Sequence, residues 1–128
     1  MRSNSDCLVL VVEDDPSIAE FVQWLLRDEG YQVRVARDAA QALRELTQAR
    51  PALVLLDLLL PGVSGARLLE DLRQRYGSAV RVMVMTASRE EATRPGTPPV
   101  DGILLKPFEL TDLLREVRRL VGEPACPR

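Results

Sequence analysis

A small set of residues in this chain combines oxygen ligands, a hydroxyl and an ammonium in an arrangement suited to phosphoryl chemistry. Glu13, Asp14 and Asp15 follow one apolar run directly, Asp57 closes another, Thr86 closes a third, and Lys106 follows a fourth. Clustered carboxylates shift one another's pKa unless a cation sits among them. Hard oxygen donors of this kind suit Mg²⁺. A carboxylate beside such an ion, with a lysine and a hydroxyl at hand, is a phosphoryl-binding constellation. Each piece also has a plainer reading. The acidic triplet could simply favour a helix dipole, and for Asp15 a helix N-cap is the preferred role. Asp57 could open a loop, Thr86 could satisfy its hydroxyl on the backbone, and Lys106 could be solvated. Their joint placement behind separate strands is what argues for chemistry.

Bringing these residues together requires a parallel sheet, because in open sheets sites form beyond the carboxyl ends of the strands. The sequence supplies the alternation. The run from Leu8 to Val12 reads as a strand buried on both faces. Asp15 and Pro16 open a helix whose stripe is Ile18, Phe21, Val22, Leu25 and Leu26, and Gly30 ends it. Residues 31–36 form a second strand. Asp38 caps a second helix bearing Ala39, Ala42, Leu43 and Leu46. Pro51 precedes a third strand, 53–56. Pro61, Gly62 and Gly65 mark a loop, and Ser64 can cap a third helix with Leu68, Leu69 and Leu72. Residues 80–85 and 103–105 are the fourth and fifth strands. Thr111 is expected to cap a last helix with Leu113, Leu114, Val117, Leu120 and Val121. Between strands four and five a helix is due, but Pro95, Gly96, Pro98 and Pro99 limit it to about one turn near Arg89 to Thr93. The pattern implies an α/β fold with helices on both faces of the sheet.

Composition narrows the function. At 128 residues, one domain fits, here residues 1–128 with a core of about 7–122 and 123–128 as a tail or linker start. Apolar residues make up 46% and charged residues 28%, as in a soluble globular domain. The net charge of -2 provides no electrostatic footprint for nucleic acid or an anionic membrane. There is no histidine, which excludes a Ser-His-Asp triad and a His-ligated metal. Cys7 and Cys126, near opposite ends, read as two thiols rather than a disulfide framework. With no signal peptide and no apolar span, the expected location is cytoplasmic.

The strings Val11-Val12-Glu13-Asp14-Asp15, Leu55-Leu56-Asp57 with Pro61 and Gly65, Met85-Thr86-Ala87 and Leu105-Lys106-Pro107-Phe108 resemble the receiver domains of bacterial two-component response regulators. Each string is weak alone; four in order, spanning about residues 8–121, are specific. The resemblance implies a flavodoxin-like, doubly wound, five-stranded parallel sheet of order 2-1-3-4-5. It implies Asp57 as phosphoacceptor in a His-to-Asp phosphorelay. It also implies Mg²⁺ held by Asp14, Asp57 and the Leu59 carbonyl, with Glu13 acting through water. Thr86 becomes a switch hydroxyl, Lys106 a phosphate contact and Lys106-Pro107 a cis bond. Three positions depart from the pattern. Ile103 stands where receivers usually carry an aromatic residue, the fourth helix is eroded by prolines, and Leu59 is apolar where polar residues or Met are common.

The implied partners are a histidine kinase or phosphotransfer protein, since this chain has no histidine of its own. A homodimer through the face from the fourth strand to the fifth helix is a further expectation, and no helix-turn-helix fits within the chain. The domain assists its own phosphorylation and dephosphorylation without being an enzyme in the ordinary sense. The alternative is a pseudo-receiver that binds proteins independently of phosphorylation. An aspartyl-phosphate hydrolase of the haloacid dehalogenase type is disfavoured because Leu59 replaces its second acid. A flavin carrier is disfavoured because the first loop offers acids where a phosphate needs amides and hydroxyls. Trp24, outside the apolar stripe, is expected to fold over neighbouring aliphatic groups; its alternative role is an anchor for the phosphodonor.

Overall fold

The computed structural model describes residues 7–60 and 65–124. Five strands, β1 (Leu8–Val12), β2 (Gln32–Ala36), β3 (Leu53–Asp57), β4 (Arg81–Thr86) and β5 (Gly102–Leu105), form one parallel sheet of order β2-β1-β3-β4-β5. The helices are α1 (Pro16–Asp28), α2 (Ala39–Gln48), α3 (Gly65–Tyr76), α4 (Arg89–Ala92) and α5 (Leu110–Val121). β1 and β3 are buried at every residue, as expected of strands covered on both faces. Leu10, Val12, Val54 and Leu56 pack with α2, α3 and Ala92 of α4 on one side. Val9, Val11, Leu53 and Leu55 pack with α1 and α5 on the other. Each fully buried Leu or Val contributes roughly 1.5–3 kcal/mol over exposure.

Local chemistry sets the helix starts. The Asp15 side chain accepts the amides of Ser17 at 2.9 Å and Ile18 at 3.3 Å, with Pro16 leading the first turn. Asp38 accepts the amide of Gln41 at 2.8 Å. Gly30 takes φ 104°, a conformation open to glycine without steric penalty, and turns the chain into β2. At α5 the expectation fails: the helix begins at Leu110, not after Thr111. The Glu109 carbonyl accepts the amides of Asp112 (3.1 Å) and Leu113 (3.2 Å), so the backbone closes the first turn without a side-chain cap. Ser64, Pro61 and Gly62 lie outside the described residues. Gly65 has a tertiary reason: a Cβ there would lie 2.6 Å from Leu58 Cα and 2.7 Å from the Asp57 carbonyl oxygen. Only glycine lets α3 start against the end of β3.

The fourth helix is one turn long, as the prolines require. A guanidinium clamp holds the segment that follows. Arg73 of α3 donates to the carbonyls of Pro99 (3.1 Å), Gly77 (3.0 Å) and Val80 (3.1 Å) and to Asp101 Oδ2 (2.9 Å). Asp101 Oδ2 also accepts the Val82 amide at 2.8 Å, and Arg119 of α5 donates to the Asp101 carbonyl at 3.1 Å. Burial opposes ionisation of Asp101, but the Val82 amide, Arg73 and Arg81 outweigh it and hold its pKa below the ordinary value. This clamp delivers β5, and hence Lys106, to the sheet.

Three expectations about side chains are corrected. Phe21, placed in the core stripe, is 37% exposed because it sits at the rim of a cleft of about 360 Å³ with Ile18, Pro107 and Phe108. Trp24 does not fold down; it is 62% exposed among Glu20, Gln23, Arg27 and Asp28 on the outer face of α1. Cys7, buried at the entrance to β1, is disulfide-bonded rather than a thiol. That removes the sequence argument for a reducing compartment. Among the described residues no helix is long and apolar enough to cross a membrane.

Candidate functional site

The β1–α1 turn, the end of β3, the end of β4 and the β5–α5 turn meet on one rim of the sheet. Glu13 follows β1 and is fully buried, while Asp14 beside it is exposed. The Glu13 amide donates to the Ala36 carbonyl at 3.0 Å, pinning the turn against β2. Asp57, the last residue of β3, is 6% exposed, and its Oδ1 accepts the Leu59 amide at 2.9 Å. Asp57 pairs in register with Met85, so Thr86 lies one residue beyond it on β4. The Lys106 amide donates to the Thr86 carbonyl at 2.8 Å, and a cis peptide joins Lys106 to Pro107.

The charged groups converge. Lys106 Nζ lies 2.6 Å from Glu13 Oε1 and 3.4 Å from Asp57 Oδ2. The other Glu13 oxygen, Oε2, accepts the Asp15 amide at 3.2 Å. Glu13, Asp14 and Asp57 each offer a carboxylate oxygen, all within 4.8 Å of one another. Desolvation is the main influence on Glu13; with the neighbouring Asp57 it outweighs the Lys106 bond and pushes the carboxyl up to about 7. Burial pulls the Lys106 pKa down, but the Glu13 hydrogen bond and the Asp57 and Glu13 charges prevail, so it stands above its ordinary value and the ammonium stays charged. Three hard oxygen donors around one point, in a region that disfavours uncompensated negative charge, fit a small divalent cation.

Of the residues singled out from sequence, Glu13, Asp14, Asp57 and Lys106 are brought together. Asp15 serves as helix cap, as preferred. Thr86 is on the rim, but its hydroxyl faces its own loop: Oγ1 donates to the Ser88 carbonyl at 3.2 Å and accepts the Ser88 amide at 3.1 Å. Leu59 presents its amide to Asp57, and its side chain is 70% exposed. Ile103 is half-buried and packs on the α2–α3 side of the sheet with Val100. Sequence reading overlooked the partner of Thr86 and one further signal at Lys106, a residue it had already named. Ser88, the partner of Thr86, carries no sequence signal. Lys106 does: it is the only lysine among 17 basic residues, so a chain that otherwise uses arginine keeps a compact ammonium here.

Comparison with known proteins agrees with this geometry. The profile of the response regulator receiver domain matches residues 9–118. The chain is 36% identical over 121 residues to the DNA-binding response regulator MtrA of Mycolicibacterium smegmatis, covering 91% of this chain and 53% of that protein. It is 36% identical over 115 residues to the sensory transduction protein RegX3 of Mycobacterium tuberculosis, covering 88% and 50%. The chain thus spans about half the length of these relatives. Among solved structures, the chemotaxis protein CheY4 of Vibrio cholerae superposes with a TM-score of 0.81 at 28% identity, over 89% of this chain and 98% of that one. The response regulator TrrA of Thermotoga maritima, solved with Mg²⁺ and a beryllium fluoride, gives 0.80 at 27% identity, over 88% and 97%. With a profile match over most of its length, a sheet of order 2-1-3-4-5 and an acidic rim faced by a single lysine, this chain belongs to the response regulator receiver domain family.

Proposed function

We propose that Asp57 is the phosphoacceptor of this receiver, taking a phosphoryl group from a phosphohistidine of a histidine kinase or phosphotransfer protein. The observation that carries this reading is the Lys106 ammonium, 3.4 Å from Asp57 Oδ2 and fixed by a buried Glu13. A carboxylate oxygen of Asp57 attacks phosphorus, the P–N bond to the donor imidazole breaks, and its electron pair stays on the departing nitrogen. An acyl phosphate forms on Asp57. The Leu59 amide orients the carboxylate, and the Lys106 ammonium lies where it can offset negative charge on the phosphoryl oxygens. Asp14, Asp57 and the Leu59 carbonyl are the proposed ligands of Mg²⁺. Both Glu13 oxygens already accept protein donors, which supports its acting through water. Bound there, Mg²⁺ would neutralise the carboxylates and polarise the phosphoryl group. Thr86 must release Ser88 for its hydroxyl to reach a phosphoryl oxygen.

A pseudo-receiver would not need these groups to converge, and no feature of the site favours it. The exposed Trp24 and Phe21 on α1 support donor docking beside the rim, and the face from β4 to α5 is the proposed output and homodimer surface. The whole chain, 1–128, is read as one receiver domain working in the cytoplasm. The test is intact mass after acetyl phosphate and Mg²⁺. One phosphoryl group on the parent and none on Asp57→Asn supports the assignment; equal labelling of both overturns it.

A further inference from the structure

Trp24 is the only tryptophan of the chain, and it stands 62% exposed on the outer face of α1. An indole left in water is costly unless something covers it. Its surroundings narrow what that cover is. Glu20 and Asp28 lie four residues to either side, so the three form one stripe along the helix. Together with Gln23 and Arg27 they line a hollow of about 370 Å³. The one cation of the hollow, Arg27, is engaged elsewhere: its Nη2 donates to the Val33 carbonyl at 3.2 Å, which draws the guanidinium to β2. Glu20 is exposed, and its carboxylate makes no ion pair or hydrogen bond among the described residues. One turn nearer the acidic rim, Ile18 and Phe21 border the apolar cleft that Lys106, Pro107 and Phe108 complete. The outer face of α1 thus runs from the rim, through an apolar cleft, to an aromatic ring with a carboxylate beside it.

We propose that Trp24 and Glu20 seat a basic side chain, an arginine foremost, from the helix of the phosphodonor; this rests on the reading that the donor docks along α1. The negative face of an indole attracts a cation, and a guanidinium stacks flat on it while its N–H groups reach a carboxylate at the edge. Asp28 adds negative potential at the far end of the stripe. The same carboxylates would repel an acidic segment, and a purely apolar one would desolvate them without supplying a partner. From Phe21 to Trp24 the helix rises about 4.5 Å, close to one turn. The donor helix is therefore expected to carry an apolar residue for the cleft and, about one turn further from its phosphohistidine, the basic residue.

The probe is an alanine-based helical peptide bearing a leucine and, one turn on, an arginine; in its control citrulline replaces the arginine, which keeps the shape and removes the charge. Binding to the full chain is read from the Trp24 indole N–H resonance, the only one the chain has. The arginine peptide should shift it and bind ~5-fold more tightly than the citrulline peptide, with the difference shrinking in high salt. Glu20→Gln should bring the two peptides together. Equal binding of both peptides to the parent, a resonance that neither peptide moves, or an arginine preference that survives Glu20→Gln overturns the cation seat. A second arm uses an autophosphorylated histidine kinase that labels Asp57: transfer should slow ~10-fold in Glu20→Arg, where like charges would meet. Transfer at the parental rate, with the arginine preference intact in the peptide titration, overturns the donor as the source of the basic residue and with it the docking reading. Equal peptide binding with slowed transfer overturns the cation seat and leaves donor docking standing.

Discussion

Replacing Lys106 with methionine keeps the side-chain stem and removes only the ammonium. Glu13 loses its 2.6 Å charged partner and Asp57 a cation at 3.4 Å. The folded chain has an escape: it can hold Glu13 protonated. For a carboxyl with an ordinary value of 4.5, a folded form kept neutral at pH 7 costs ~3 kcal/mol relative to the ionised unfolded chain. The parent, with Glu13 already pushed up to about 7, carries most of this. The added ionisation cost in the variant at pH 7 is therefore under ~1 kcal/mol, far less than breaking a buried pair that must stay charged. The sign of the pH dependence follows. Folded Glu13 binds protons more tightly than unfolded, so its contribution is intact below 4.5, is lost as pH rises to about 7, and is level above that. In Lys106→Met the falling limb extends beyond pH 7, by up to ~1.4 kcal/mol per pH unit. Phosphoryl transfer should fall ~10²-fold, the usual loss on removing one charge-stabilising donor. Lys106→Arg should restore only part of it, because a planar fork does not occupy the place of a compact ammonium. Urea melts between pH 6 and 9, alongside transfer rates, are the assay. Transfer at the parental rate would refute the role of Lys106. A loss above ~3 kcal/mol at pH 7 that is flat in pH would refute the ionisation argument.

Other outcomes follow from the same structure. Arg73→Met should cost ~2–3 kcal/mol at pH 7, because Asp101 keeps Arg81 and the Val82 amide but loses its closest cation. The Asp101 pKa is depressed, so its contribution is present above its ordinary 3.8 and lost as pH falls below it; melts at pH 3 should show a smaller deficit than melts at pH 7. Gly65→Ala should cost several kcal/mol by denaturant melt, since its Cβ would overlap the backbone of Asp57 and Leu58; a change under ~0.5 kcal/mol would contradict the close approach. Trp24→Ala should leave stability within ~0.5 kcal/mol, as the ring is mostly exposed, and leave acetyl phosphate labelling unchanged while slowing transfer from a donor protein. Asp14→Ala should weaken Mg²⁺ binding by calorimetric titration, and unchanged affinity would remove Asp14 from the proposed ligand set.

The elements and their order were legible because their signals are local. Apolar runs of strand length, acid caps at Asp15 and Asp38, and prolines that stop a helix all act within a few residues. Once the strands run parallel, residues at their carboxyl ends must share a rim, so Glu13, Asp14, Asp57 and Lys106 could be named in advance. What needed the folded chain are contacts between residues far apart in sequence. Lys106 meets Glu13 across 93 positions, and Arg73 reaches 28 positions to Asp101. The exposure of Trp24 and Phe21, the start of α5 at Leu110 and the bonded state of Cys7 were misread for a related reason. A helical stripe gives direction around an axis, but the neighbouring elements decide how deep each residue on that stripe is covered. A cap residue is a preference that the backbone of Glu109 can satisfy by itself, and whether a cysteine is bonded depends on tertiary packing rather than on its neighbours in sequence. Periodicity is a property of the chain; distance across the sheet is a property of the fold, because only the joint packing of helices on both faces sets which side chains share a dielectric environment and a hydrogen bond.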